Sequence, residues 1–305
     1  MIIKSFEDAE ELAKKHGSKK ISVIRAENRE FLLALKEAHQ RGYAEPVLIG
    51  KEKKIREIAK DIHFDISKFV VIDLSDPQEM ADRGVQLAVS GETDFILRGF
   101  IDGSFLYKSL IRASSNGGIK KQICGVGLLH FPMLPKIIGI SDPGVTVAPD
   151  IKQKIEIIKN CVELFNRLGY QYPKVGILCA RQELEDDLES ISDAAKIREA
   201  FEKSELPGCN LVDGLSLSDF FLGEGGYLRS FDEIDYNLIP DILLLHNIEI
   251  GNIFVKIFTI AARDFFSGAR MYGFVMGAGI TTIIPSRADT HKSILTDIAL
   301  GVLIS

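Results

Sequence analysis

A chain of 305 residues is about twice the usual single-domain length, so two domains sharing a cleft are expected. Apolar residues make up 46% and charged residues 26%, an ordinary globular composition that excludes a disordered chain. Lys plus Arg number 37 against 43 Asp plus Glu, a net charge of −6, so no broad basic surface exists for nucleic acid and an anionic ligand must be held by a few local cations.

The first segment, MIIKSFEDAEELAKK, is acidic and amphipathic and lacks the basic-then-apolar order of a signal peptide. Next, short β-branched runs alternate with helix-period segments: ISVI at 21–24 before ENREFLLALKEAHQRG, PVLIG at 46–50 before KEKKIREIAK, FVVIDL at 69–74 before DPQEMADRGVQLAVS, then DFILRG at 94–99. Repeated βα units predict a parallel sheet with helices on both faces. ICGVGLL, IIGISD, KVGILCA and DILLLHN have the continuous apolar character of fully buried strands. Between them, Ile151, Ile155, Ile158, Val162 and Phe165 share one face of a helix opened by a capping box in P-D-I-K-Q. The acidic, Gly-interrupted stretch 181–235 reads mostly as solvated face and loop. HFPMLP at 130–135 and the Gly-rich GFVMGAG at 273–279 read as two crossings between domains, giving domain I at 1–133 plus 277–305 and an inserted domain II at 134–276.

No stretch of about 18 apolar residues is present, as a membrane span would need. Cys124, Cys161, Cys179 and Cys209 are scattered, which suggests neither a zinc site nor a disulfide framework and points to a reducing, cytoplasmic setting. His130, His246 and His291 show no ligand spacing. The P-loop, G-x-G-x-x-G, G-x-S-x-G and H-E-x-x-H signatures are missing, which leaves strand-end motifs as the places for chemistry.

Four such motifs in order, LRGFIDGSFLYKSLI at 97–111, ISDPGVTVAPDIKQK at 140–154, PDILLLHNIEIGNIFVK at 240–256 and IIPSRADTHKSILTDIAL at 283–300, resemble the phosphate acetyl/butyryltransferase family. They are similar to that family's K-G-x-x-x-T-x-x-x-L-K, D-x-x-x-N-x-x-P-D, P-D-I-x-x-G-N-x-x-x-K and S-R-A-D elements. The resemblance implies two α/β domains around a cleft in an isocitrate-dehydrogenase-like architecture, commonly dimeric. It also implies acyl transfer between coenzyme A and phosphate by direct attack in a ternary complex, with no metal, no resident cofactor and CoA as substrate. Arg98 stands where the butyryl branch has Lys, Gly103 where it has Thr, and Thr146 where it has Asn; Gly279 replaces a Lys and Thr281 a Pro.

The residues themselves carry two readings each. Arg287 follows a strand-to-helix junction suited to an anion, and its guanidinium can grip phosphate in two-pronged fashion; the alternative is a surface arginine. Ser286 and Asp289 form an S-x-x-D capping pattern for the last helix, or supply an oxyanion donor and a base for the thiol. Arg98 and Lys108 can converge on one phosphate from a strand end and the helix after it. Asp142 and Thr146 form a polar turn before the Asp150 helix, a substrate-binding candidate or simply a cap, and Asn252 and Lys256 share a helical face from which both could reach substrate in a cleft, with N-capping the alternative for Asn252. The helix IFVKIFTIAARDFF at 253–266 is apolar nearly all round, which suits a subunit contact. Two rivals are a silent CoA- or phosphate-binding relative, motivated by the substitutions above, and a decarboxylating dehydrogenase of the same fold, for which no D-x-x-x-D near an arginine run is found.

Overall fold

The computed structural model describes residues 2–116, 122–132, 134–180, 188–222, 236–264 and 268–305. The chain divides into a terminal unit, Phe6–Lys121 with Tyr272–Ser305, and a central unit, Met1–Ser5 with Gln122–Met271.

The terminal unit holds β1 (Lys19–Ile24), β2 (Ala44–Gly50), β3 (Val71–Asp73), β4 (Phe95–Arg98), β10 (Arg270–Met276, which straddles the boundary) and β11 (Thr282–Ile283). Their order is β3-β2-β1-β4-β11-β10, parallel through β11, with β10 antiparallel to it. Burial on both faces accounts for the unbroken apolar runs: Ile21, Val23, Phe95 and Ile96 are fully buried. Helices α1 (Ala9–His16), α2 (Arg29–Gln40), α3 (Glu52–Asp61), α4 (Pro77–Val89), α5 (Gly103–Asn116) and α10 (His291–Ile304) cover the sheet. Their starts are written locally: Asn28 accepts from the N–H groups of Glu30 and Phe31, and Asp76 caps α4 with Pro77 in its first turn.

In the central unit β5 (Cys124–His130), β6 (Ile138–Ser141), β7 (Lys174–Ile177), β8 (Asn210–Leu211) and β9 (Ile242–Leu244) run in the order β5-β6-β9-β7-β8, parallel except for β5 against β6. Helix α6 (Ile151–Arg167) carries the expected capping box of Asp150 and Gln153. The remaining helices are α7 (Glu189–Glu202), α8 (Leu217–Leu222) and α9 (Ile248–Asp264). Leu129, Ile138, Ile140, Leu243 and Phe258 centre the core.

Three sequence expectations change. The boundaries expected at 133/134 and 276/277 lie at 121/122 and 271/272: β5 pairs antiparallel with β6 and falls in the central unit, and of HFPMLP, His130 ends β5 while Phe131, Pro132, Leu134 and Pro135 lie between the two strands. The Gly-rich segment from 273 begins inside β10 and turns at Gly277 and Gly279 (φ 88° and 73°). Within 181–235, α7 is a regular helix that buries Ile191, Ala194 and Ile197 at helical spacing. Residues 181–187 and 223–235, including GEGG, lie outside the described residues. Among the described residues, no helix is long and apolar enough to cross a membrane.

Candidate active site

At the carboxyl edge of the terminal sheet, parallel β4 and β11 end side by side and deliver Arg98 and the 285–289 loop together. Arg98 Nη2 donates to Pro285 O at 2.6 Å, while its Nε is buried without a hydrogen-bond partner among the described residues. Burial pulls the Arg98 pKa down from its ordinary value, opposed by Tyr107 and helped by the neighbouring Arg287.

The loop is a self-contained turn. Ser286 N donates to Asp289 Oδ2 at 2.6 Å, Asp289 N donates to Ser286 O at 3.1 Å, and Ala288 N donates to Ser286 Oγ at 3.4 Å. The S-x-x-D box therefore closes its own turn rather than capping the last helix, whose N-cap is Thr290. Burial raises the Asp289 pKa to about 6, against the pull of the Ser286 N–H and of Arg98. That value suits a proton acceptor near neutral pH. Behind it on α10 lies Asp297, fully buried, with neither carboxyl oxygen hydrogen-bonded among the described residues. Burial, then the charge of Asp289, pushes Asp297 well above the usual carboxylate range, with Arg98 opposing.

Arg287 is half exposed, pairs with Asp102 at 3.0 Å and lies 5.9 Å from the centre of the Phe100 ring. The pair ties the 285–289 loop to the start of α5. Asp102 is held below its ordinary value chiefly by the N–H and hydroxyl of Ser104. Lys108 lies exposed on α5, and among the described residues its ammonium makes no hydrogen bond or ion pair.

The other four candidates belong to the central unit. Asp142 is buried, and its Oδ1 accepts from the N–H groups of Gly125, Gly144 and Val145, its Oδ2 from that of Thr146, all at 2.8–3.1 Å. Burial raises its pKa while these amides oppose the rise. Thr146 Oγ1 donates to Ile123 O and accepts from Gln122 Nε2. Both side chains are hydrogen-bonded within the turn and shape it. Asn252 lies inside α9 rather than at its cap, where Asn247 Oδ1 accepts from Ile250 N. Its Nδ2 donates to Pro143 O at 3.3 Å, and a Cβ on Gly251 would meet Asp142 O at 2.6 Å, so the helix and the Asp142 turn are in close contact. Lys256 is exposed one turn on.

Sequence reading missed Asp102, Tyr107 and Asp297, and a trio in the central unit in which Lys154 and Asp193 are buried and His246 partly so. Lys154 Nζ donates to Asp193 Oδ2 at 2.5 Å and lies 3.0 Å from His246 Nδ1. Burial and Lys154 lower the His246 pKa, so a neutral ring accepts from the lysine at Nδ1. Among the described residues no group of three or more His, Cys, Asp or Glu could hold a metal ion.

Residues 108–302 match the family Phosphate acetyl/butaryl transferase, well over half of the chain. The chain belongs to the phosphate acetyl/butyryltransferase family. As a phosphate acyltransferase of this family it is 27% identical over 302 residues to Phosphate butyryltransferase of Clostridium beijerinckii, covering 99% of this chain and 98% of that one. It is also 27% identical to Phosphate acetyltransferase of Thermotoga maritima, over 97% and 98% of the two chains. The fold is shared with a phosphotransacetylase from Streptococcus pyogenes (TM-score 0.76, 15% identity, 98% of both chains). A branched-chain phosphotransacylase from Enterococcus faecalis matches with a TM-score of 0.72 at 19% identity, over 94% of this chain and 99% of that one.

Two departures from the family pattern fall away from this edge. Gly279 serves the β10–β11 turn, and Thr281 Oγ1 faces Ile304 O at the last turn of α10. The 285–289 loop enters the other end of this 14-residue helix, about 20 Å distant.

Proposed function

We propose that this family member moves an acyl group between coenzyme A and phosphate: acyl-CoA plus phosphate exchanges with acyl phosphate plus CoA, by direct thiol attack in a ternary complex. The observation that carries the reading is the convergence of Arg98, Ser286 and Asp289 at one strand edge, with Asp289 raised to about 6. In the thiol direction Asp289 takes the thiol proton, and the sulfur attacks the acyl carbonyl carbon. Ser286 Oγ accepts from Ala288 N, so its own proton is left to donate to the oxyanion. Collapse breaks the carbon–oxygen bond, and the phosphate leaves into the charges of Arg98, Arg287 and Lys108. In reverse, a phosphate oxygen attacks the thioester and the departing thiolate recovers the proton from Asp289.

CoA is a substrate in this scheme, and no resident cofactor or metal takes part. The test pairs thermal shift with CoA, acyl-CoA and phosphate with steady-state turnover. Stabilisation with turnover supports the proposal, and stabilisation without turnover supports the silent relative.

A homodimer and a cytoplasmic location complete the reading. On α9, Ile250, Ile253, Ile257 and Ile260 are 45–64% exposed at helical spacing, an apolar stripe suited to a second copy. Sedimentation equilibrium should give about twice 33.8 kDa, and a concentration-independent monomer would count against the dimer. The four cysteines are free and buried, as a reducing compartment allows. Freshly isolated, denatured protein should titrate four thiols per chain; fewer would contradict it.

A further inference from the structure

The three places where segment 98–108 departs from the family's K-G-x-x-x-T-x-x-x-L-K pattern are Arg98, Gly103 and Tyr107, and they meet in space. A Cβ added to Gly103 would lie 3.2 Å from Tyr107 Cε2, 3.4 Å from Tyr107 Cζ and 3.3 Å from Arg98 Nη1. Gly103 opens α5 and Tyr107 follows four residues later, so the ring lies over the first turn of the helix, in the room that the absent side chain leaves. The guanidinium borders the same gap, is tied at Nη2 to Pro285 O, and carries a buried Nε with no partner among the described residues.

We propose that Tyr107 is a positioning residue for Arg98, and that Gly103 exists to admit its ring. This inference rests on Arg98 being a phosphate ligand. An ammonium is a point charge with three rotatable donors and needs no fixed plane, so a lysine at 98 works beside Thr and Leu. A guanidinium grips phosphate only when the plane of its fork is held. An arginine at this strand end therefore requires a flat wall; the tyrosine supplies the wall, and the wall requires glycine at 103. The three departures are one coupled change that converts the cation from a point charge to an oriented fork, rather than separate losses of family residues.

The experiment compares Gly103→Thr, Gly103→Ala, Tyr107→Leu, Tyr107→Phe and the double variant Gly103→Thr/Tyr107→Leu. Phosphate KM should rise about tenfold in Gly103→Thr and in Tyr107→Leu, with acyl-CoA KM within about twofold of the parent. Tyr107→Phe keeps the ring carbons that face the gap and should stay within about threefold of the parent. Once the ring is gone, threonine should cost nothing further, so the double variant should match Tyr107→Leu instead of multiplying the two losses. Gly103→Ala should raise phosphate KM without lowering Tm, since alanine favours the helix; a merely structural role would move Tm instead. An unchanged phosphate KM in Tyr107→Leu, or multiplicative losses in the double variant, would overturn the inference. If the parent chain shows no turnover, the acyltransferase reading fails separately. Calorimetric titration with inorganic phosphate then decides the positioning role, tenfold weaker binding by Tyr107→Leu supporting it and equal binding refuting it.

Discussion

Asp289→Asn perturbs the proposed base at the one group whose environment sets a usable number. With its carboxyl raised from 3.8 to about 6, Asp289 is about nine-tenths ionised at pH 7 and about one-tenth at pH 5. The kcat/KM for thiol attack on an acyl phosphate should then rise about tenfold from pH 5 to 7, where an ordinary carboxylate would give a flat profile. The asparagine amide would keep an oxygen for the Ser286 N–H now bonded at 2.6 Å, so the turn survives while the proton acceptor is lost. The expected cost at pH 7 is about 10²-fold or more in kcat, with partial recovery as pH nears the thiol pKa of about 8.5. Stability should move the opposite way. A carboxyl raised on folding stabilises the fold below about pH 4, and that contribution is lost as pH rises through 6. Replacing it should therefore spare up to about 3 kcal/mol at pH 7. The assay is initial-rate kinetics across pH 5–9 beside urea unfolding at each pH. Undiminished turnover at pH 7, or an acid limb near 6 that persists in the variant, would refute the role of Asp289; a uniform loss with no recovery would assign it to positioning.

Arg287→Lys should raise phosphate KM or cut kcat/KM by about tenfold or more, because lysine cannot make the two-pronged contact; near-parental kinetics would remove Arg287 from the site. Lys154→Met strands the buried Asp193 carboxylate, whose side chain is 9% exposed beside a 3% exposed lysine, and should cost about 3–5 kcal/mol in urea unfolding. A cost under about 1 kcal/mol would mean that the pair is replaceable. Asp297 holds its proton longer in the folded chain than unfolded, so the stability it contributes in acid is lost as pH rises through its raised pKa. The Tm of Asp297→Asn should accordingly gain on the parent between pH 5 and 9, whereas a constant offset would show that the group does not titrate there.

Local chemistry was legible in the sequence wherever one segment carried the whole device. The Asp150–Gln153 box, the apolar face of α6 and the four strand-end motifs each lie within a short window; periodicity and spacing revealed the first two, and the family resemblance the motifs. Features that depend on register or distant pairing were not legible. That β5 groups with the central unit follows from its antiparallel bonds to β6, which composition does not encode. Lys154 meets partners 39 and 92 residues away, and each of the three looks ordinary alone. Asp297 resembles any polar residue on an exposed helix face until the packing of α10 encloses it. Within the candidate site, Arg98 reaches Pro285 O beside the turn that joins Ser286 and Asp289, a meeting of segments far apart in the chain. For Asp142 and Thr146 the sequence shows a polar turn, and only the hydrogen bonds reveal how their side chains hold it.

The most direct test of acyl transfer to phosphate is to incubate the purified protein with butyryl-CoA and inorganic phosphate, follow the free thiol, and trap the product with hydroxylamine. The account predicts thiol release that depends on phosphate, matched mole for mole by hydroxamate from the acyl phosphate. Thiol release that is indifferent to phosphate, or none with acetyl, butyryl and branched-chain thioesters alike, would contradict it.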